Sequence, residues 1–307
     1  MEANRVYTKS PHKLTWRLFK NRATPYAYVF PTIALMLVLM LVPIIMVIGY
    51  SVMDNVIMNK NPQFVGLANY ITILSDKVFH EAIANTAFFV IASVIFHMII
   101  GLTFAMLLNT NILHSVTKSI FRVIYIFPWV FTAAIIAILW RLMLNPNGVI
   151  NYLLETAGLI SSKVEWLSSR DTALYALTFI NIWAGYPFYM VSLLAGLQGI
   201  SADLYEAATV DGANGIQKFL YITIPQLKPI IVSMSMLDLI WTTQQFSLVW
   251  MTTGGGPIHA TEMLSTYTYK LAFSTYEFSQ ASTSAVIVLV ISLILAFFYV
   301  KNQKARE

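Results

Sequence analysis

Six apolar runs, each close to the length that crosses a bilayer, limit what this 307-residue chain can fold into. A membrane helix needs roughly 20 mainly apolar residues. The runs cover about 28–52, 82–108, 119–142, 172–197, 229–251 and 281–300. Only 11% of residues are charged and 58% are hydrophobic, whereas soluble domains carry roughly 25% charge. The expected fold is an all-α integral membrane protein of about six transmembrane helices. The second run is the least uniform, with Asn85, Ser93 and His97 inside it. His97 reads as a satisfied core residue. The chain has no cysteine, which removes disulfides, thiolate metal sites and cysteine nucleophiles.

Lysine and arginine set the orientation, because cytoplasmic loops carry the excess of both. With the N-terminus inside, the inner segments hold thirteen of them and the outer segments six. Both termini are therefore expected in the cytoplasm. The same bias accounts for the formal charge of +5, so nucleic acid is not needed as a partner. Residues 1–27 are basic and precede an apolar run too long for a signal-peptide core. They are expected to be a cytoplasmic segment before a retained first helix. Within them, 13–22 reads either as an amphipathic elbow on the inner leaflet or as a plain basic flank. The permease domain is expected over 28–300, with a cytoplasmic loop at 199–228 and a cytoplasmic tail at 301–307.

That loop carries the strongest signal. Ser201 is suited to cap a short helix, and Asp203 and Glu206 suit its positive N-terminal end. Leu204, Ala207, Ala208 and Asp211 recur at helical spacing. Gly212 is placed to end the helix. A compact helix with a small-residue face fits a groove on another protein or packs beneath its own bundle. The run Glu206-Ala207-Ala208, then Gly212, then Ile222-Thr223-Ile224-Pro225 resembles the EAA loop of binding-protein-dependent ABC importer permeases. Ile224 stands where that family usually has leucine. Three further segments are similar to the sugar branch, especially the larger permease subunit of maltose importers. They are Phe64-Val65-Gly66-Leu67-Ala68-Asn69-Tyr70, Asn181-Ile182-Trp183-Ala184-Gly185-Tyr186-Pro187 and Thr253-Gly254-Gly255-Gly256-Pro257.

The resemblance implies a type I ABC importer fold and a subunit that moves sugar by alternating access. It implies that Leu204, Glu206, Ala207, Ala208, Asp211 and Gly212 dock on an ABC ATPase dimer. It further implies a second permease subunit and an extracytoplasmic sugar-binding protein. This chain is expected to hold no cofactor, with ATP and magnesium on the ATPase. No phosphate-loop motif occurs in its sequence.

Polar residues inside a span are functional candidates by default. Asp238 is the acid well inside the fifth run, with Thr242 and Gln245 on the same face at i+4 and i+7. Asn181, Gly185 and Phe188 repeat that spacing in the fourth. The family's sugar contacts fall on Asn181, Ala184, Gly185, Phe188, Asp238, Thr242 and Gln245. Asn181 and Gly185 match the maltose subunit; Phe188 stands for Tyr there, and Asp238, Thr242 and Gln245 for Ser, Asn and Asn. The alternative is that the polar groups glue helices together. Gly185 is expected to admit a sugar ring, and Trp183 and Trp241 to offer stacking faces. A related glycerol-phosphate importer is the rival, disfavoured because Asp238 would repel phosphate. An ion-coupled transporter needs repeats and more buried charge than this sequence offers.

Overall fold

The computed structural model describes the backbone of residues 11–110 and 112–304, and the side chains of 24–110 and 112–301. Residues 1–10 and 305–307, parts of the expected cytoplasmic ends, lie outside the described residues. So do the side chains of 13–22, on which an amphipathic elbow would depend. The backbone there is helical, within α1 (Pro11–Met36).

A π turn, Leu37–Leu41, joins α1 to α2 (Val42–Ser51). Short outer helix α3 (Ala68–Ser75) precedes α4 (Lys77–Asn109). Next come α5 (Ser115–Val130), α6 (Ala133–Met143), α7 (Val149–Thr156) and α8 (Ala173–Gln198). The loop segment holds α9 (Ala202–Val210), α10 (Gly215–Lys218) and a second π turn, Phe219–Thr223. Last are α11 (Ile224–Thr243), α12 (Ser247–Thr252), α13 (Leu264–Phe273) and α14 (Phe278–Lys304).

Among the described residues, five helices are long and apolar enough to span a membrane. The third expected span, 119–142, is not one straight helix. It is α5 and α6, bent by 99°. Pro128 removes a backbone donor near the end of α5. Phe131 and Thr132 then run extended, and Thr132 caps α6 through Ile135. Counting the bent pair as one gives up to six spans. The fifth expected span, 229–251, is also displaced. Helix begins at Gly215, ends at Thr243, and resumes as α12 after a break.

The bundle is organised on α4 and α8. A Cβ on Gly101 of α4 would lie 2.5 Å from Tyr189 Cβ and 2.9 Å from the Met190 backbone nitrogen. Small residues allow such close approach of membrane helices. Tyr189, Met190 and Leu193 are wholly buried beside it, with Leu227 of α11. The first span packs along α14 through α2, yet none of its most apolar stretch is buried within the chain.

Two of the segments singled out by resemblance have structural work in the outer loops. Asn69 Nδ2 donates to the carbonyls of Ser51 (3.0 Å) and Met53 (2.8 Å), tying off the end of α2. Carbonyls at a helix end have no partner within the helix, and the Ser51 carbonyl also accepts from Thr283 Oγ1 at 3.1 Å. Gly254 and Gly255 take φ of +62° and +88°, and Gly255 lies against the Glu262 carboxylate, with no room for a side chain. Glu262 is wholly buried there; it accepts from Lys270, from Thr266 Oγ1 (2.7 Å) and contacts His259 Nδ1 (3.1 Å). Asn85 of α4 donates to the carbonyls of His259 and Glu262. Tyr267 donates to Asp76 Oδ2 at 2.5 Å. Burial, then that bond, pushes the Tyr267 hydroxyl well above the usual tyrosine range.

Candidate functional site

A cavity of about 290 Å³ opens between α4, the α5–α6 bend, α8 and α11. Its walls include Asn181, Ala184, Gly185 and Phe188 from α8, and Asp238 and Thr242 from α11. Gln245 also lines it, although α11 ends before that residue. All seven candidate solute residues therefore face one space. Asp238 is expected well inside the fifth run, 229–251. Because helix begins at Gly215, Asp238 lies in the last third. The break after Thr243 helps form the wall: irregular backbone at membrane depth is tolerated where it lines a cavity.

The polar groups are cross-braced. Asp238 Oδ2 meets His97 Nδ1 at 2.8 Å, and Oδ1 accepts from Thr242 Oγ1 at 2.8 Å. His97 Nε2 lies 3.0 Å from the backbone oxygen of Asn181. The Asn181 side chain donates to Ser93 Oγ at 2.9 Å. Thus Asn181 and Thr242 do serve as links between or within helices, while also facing the cavity. An exposed salt bridge contributes little, but His97 and Asp238 are only 3% and 8% exposed. Leaving either without a partner would cost roughly 1–3 kcal/mol.

Gly185 has a different role from the one expected. A Cβ there would lie 2.3 Å from His97 Nε2. The glycine makes room for the imidazole from α4, and that ring occupies the space assigned above to a sugar. Trp183 packs edge-on against Trp140, ring centroids 5.4 Å apart, within an apolar cluster. Trp241 does face the cavity and is 57% exposed. Phe188 sits between it (5.5 Å) and Trp129 (6.1 Å).

Sequence reasoning missed Pro128, Trp129 and Phe131, which line the cavity from the bend. The signal was there, in Pro128 and in the cap residue Thr132, but hydropathy records composition and not backbone direction. His97 is the satisfied core residue expected, with both ring nitrogens partnered, but its place in the cavity wall was not read.

The 199–228 loop lies at the other end of α8 and α11. Ser201 accepts from the Asp203 backbone at 3.3 Å and caps α9. Asp211 closes it. Gly212, at φ +80°, follows. The Gly212 nitrogen donates to Thr209 O at 3.1 Å and Ala213 nitrogen to Ala208 O at 2.8 Å. These paired bonds are the glycine-type helix stop anticipated from sequence. No residue of α9 is buried. It does not pack beneath its own bundle. Leu204, Glu206, Ala207, Asp211 and Gly212 are exposed, Ala208 is half-buried, and Val210 is 87% exposed. Tyr205 OH to Thr223 Oγ1 (2.9 Å) and Lys218 Nζ to Thr209 Oγ1 (2.7 Å) tether the helix.

Residues 98–305 match the family model described as "Binding-protein-dependent transport system inner membrane component". The chain is 34% identical over 289 residues to the trehalose/maltose transport system permease protein MalF of Thermococcus litoralis. That alignment covers 93% of this chain and 95% of the relative. It is 31% identical over 284 residues to the lactose transport system permease protein LacF of Rhizobium radiobacter, covering 91% and 94%. In fold it resembles a chain of a bacterial alginate ABC transporter, solved with an alginate pentasaccharide-bound periplasmic protein. The TM-score is 0.81 at 24% identity, covering 92% of this chain and 95% of that one.

Proposed function

This chain belongs to the binding-protein-dependent transport system inner membrane components, multi-pass permease subunits of ABC importers, and we propose that its cavity is the passage for a neutral sugar. As a permease subunit it is not itself the catalyst. ATP and magnesium belong on a separate ATPase dimer, and the solute arrives on an extracytoplasmic binding protein. A second permease chain completes the pathway.

The observation that carries this reading is the exposure of α9 at the far end of the two helices that build the cavity. A short helix with no buried residue, capped at both ends and presenting Leu204, Ala207 and Val210, is built for a groove in another protein. α8 leads from the cavity into it, and α11 leads back. A shift of the docked helix therefore reaches Asn181 and Asp238 along rigid elements. Alternating access asks for such a connection. Sugar as the solute is supported by the relatives' trehalose, maltose and lactose. It is also supported by a wall that combines aromatic faces, Phe188, Trp129 and Trp241, with paired polar groups. No lysine or arginine of the described residues lines the cavity, as an anionic solute such as glycerol phosphate would favour.

The test is a mild-detergent purification of the tagged chain from its own host, read by mass spectrometry. A P-loop ATPase, a second permease and uptake of a labelled sugar by the reconstituted complex are expected. Recovery of the folded chain alone from several detergents would remove the ATP-driven assignment.

A further inference from the structure

The braced pair beside the cavity does not balance as a neutral imidazole and a free carboxylate. His97 Nε2 faces the Asn181 backbone oxygen, which can only accept. Nδ1 faces Asp238 Oδ2. A neutral imidazole carries one N–H. With it on Nε2, the Nδ1 lone pair opposes a carboxylate oxygen. With it on Nδ1, the Nε2 lone pair opposes the carbonyl. Both contacts close only when two hydrogens are present. Either the ring carries both beside a carboxylate, or Nε2 carries one and Asp238 carries the other on Oδ2. Both arrangements have zero net charge.

Burial makes the count binding. At 3% and 8% exposure the two groups have little water to turn to. The neighbours on each packed element offer no other cation: Tyr189 of α8, 6.0 Å from the imidazole, turns a neutral hydroxyl towards Asp238, Ser93 of α4 is taken by Asn181, and Thr242 of α11 already donates to Oδ1. Gly185 fixes the ring by excluding any Cβ from its place.

We propose that His97 is a positioning residue of the solute pocket, sharing one additional proton with Asp238. The passing solute then meets a net-neutral hydrogen-bonding pair in place of a free anion. The proposal rests on the reading of the cavity as the sugar passage. It alters what that passage selects. A lone Asp238 would repel acidic sugars, whereas the pair has no charge preference. Selection falls to shape and hydroxyl geometry.

The test uses the full chain in detergent, labelled with ¹⁵N-histidine, alongside D238N and H97Q. The His97 signal is the one lost in H97Q or moved in D238N, so one folded variant suffices to assign it. A doubly protonated His97 ring, or an infrared carboxylic-acid band that disappears in D238N, is the expected result. In D238N the amide donates to Nδ1, so His97 becomes the singly protonated Nε2–H form. A singly protonated His97 in the unsubstituted chain, without any such band, would overturn the shared proton. Labelled maltose, trehalose and lactose uptake tests the pocket separately. If one is carried and D238N carries it at the same rate, the solute needs nothing from the Asp238 carboxyl and His97 has no pocket role, whatever the proton count.

Discussion

The cavity and the 199–228 loop answer the same physical demand in opposite ways. In the cavity the buried polar groups have partners from the same chain in Asp238, with His97 and Thr242, and Asn181, with Ser93. In the loop no residue of α9 is buried and two side-chain tethers hold the helix. The first region is complete by itself, as groups in a low-dielectric interior have to be. The second is left open, as the proposed docking on another protein requires. Substitutions in the cavity wall should therefore act through folding and solute together. Those in the loop should act on transport alone.

The largest difference is expected from glycines. At Gly101 a valine would meet Tyr189 Cβ and the Met190 backbone, neither of which can move aside. Gly101→Val should destabilise the chain by about 3 kcal/mol, read as thermal unfolding in detergent. An unchanged midpoint would mean that α4 and α8 are not packed backbone to backbone. Next, Asp238→Leu should cost about 2 kcal/mol, since it strands both His97 and Thr242. Asp238→Asn should cost less than half of that. Equal losses would mean that the carboxyl's charge, which asparagine lacks, carries the stabilisation and its hydrogen-bonding shape does not. At Gly212 no atom lies within 4 Å of an added Cβ, and only the φ of +80° opposes a side chain. Gly212→Val should cost about 1–2 kcal/mol locally, leave the chain in the membrane and abolish uptake. Normal uptake would show that the loop does not couple the chain to its energy source.

How much of this was legible depended on the kind of signal. The ends of the first loop helix could be read from sequence, because caps and glycine stops are local chemistry: Ser201 and Gly212 act where side chain and φ require, whereas Asp211, expected on the helix face, closes the helix as its last cap. The seven cavity residues were found by helical spacing and resemblance. Their partners were not found. Asn85, Ser93 and His97 looked like blemishes in the second span, yet each reaches a different distant element: the outer loop, Asn181 and Asp238. Such pairings join residues far apart in sequence, and periodicity in one helix says nothing of them. The same limit hid the 99° bend. An apolar run scores as a span whether or not Pro128 and Thr132 turn it.

The smallest prediction concerns the tether. Tyr205 OH and Thr223 Oγ1, 2.9 Å apart, join α9 to the π turn that leads into α11. π turns inside helices are frequent at functional sites, and this one stands between α9 and the cavity wall. Tyr205→Phe removes one hydrogen bond, a cost of about 1 kcal/mol, and leaves the ring. Because α9 contributes nothing buried to the bundle, global thermal stability should stay unchanged. Hydrogen exchange across 202–212 should quicken about fivefold, and ATP use should continue with less sugar moved per cycle. Should exchange quicken while that ratio holds, the tether only steadies α9. Should neither change, the docked partner, and not Tyr205, fixes the helix against α11.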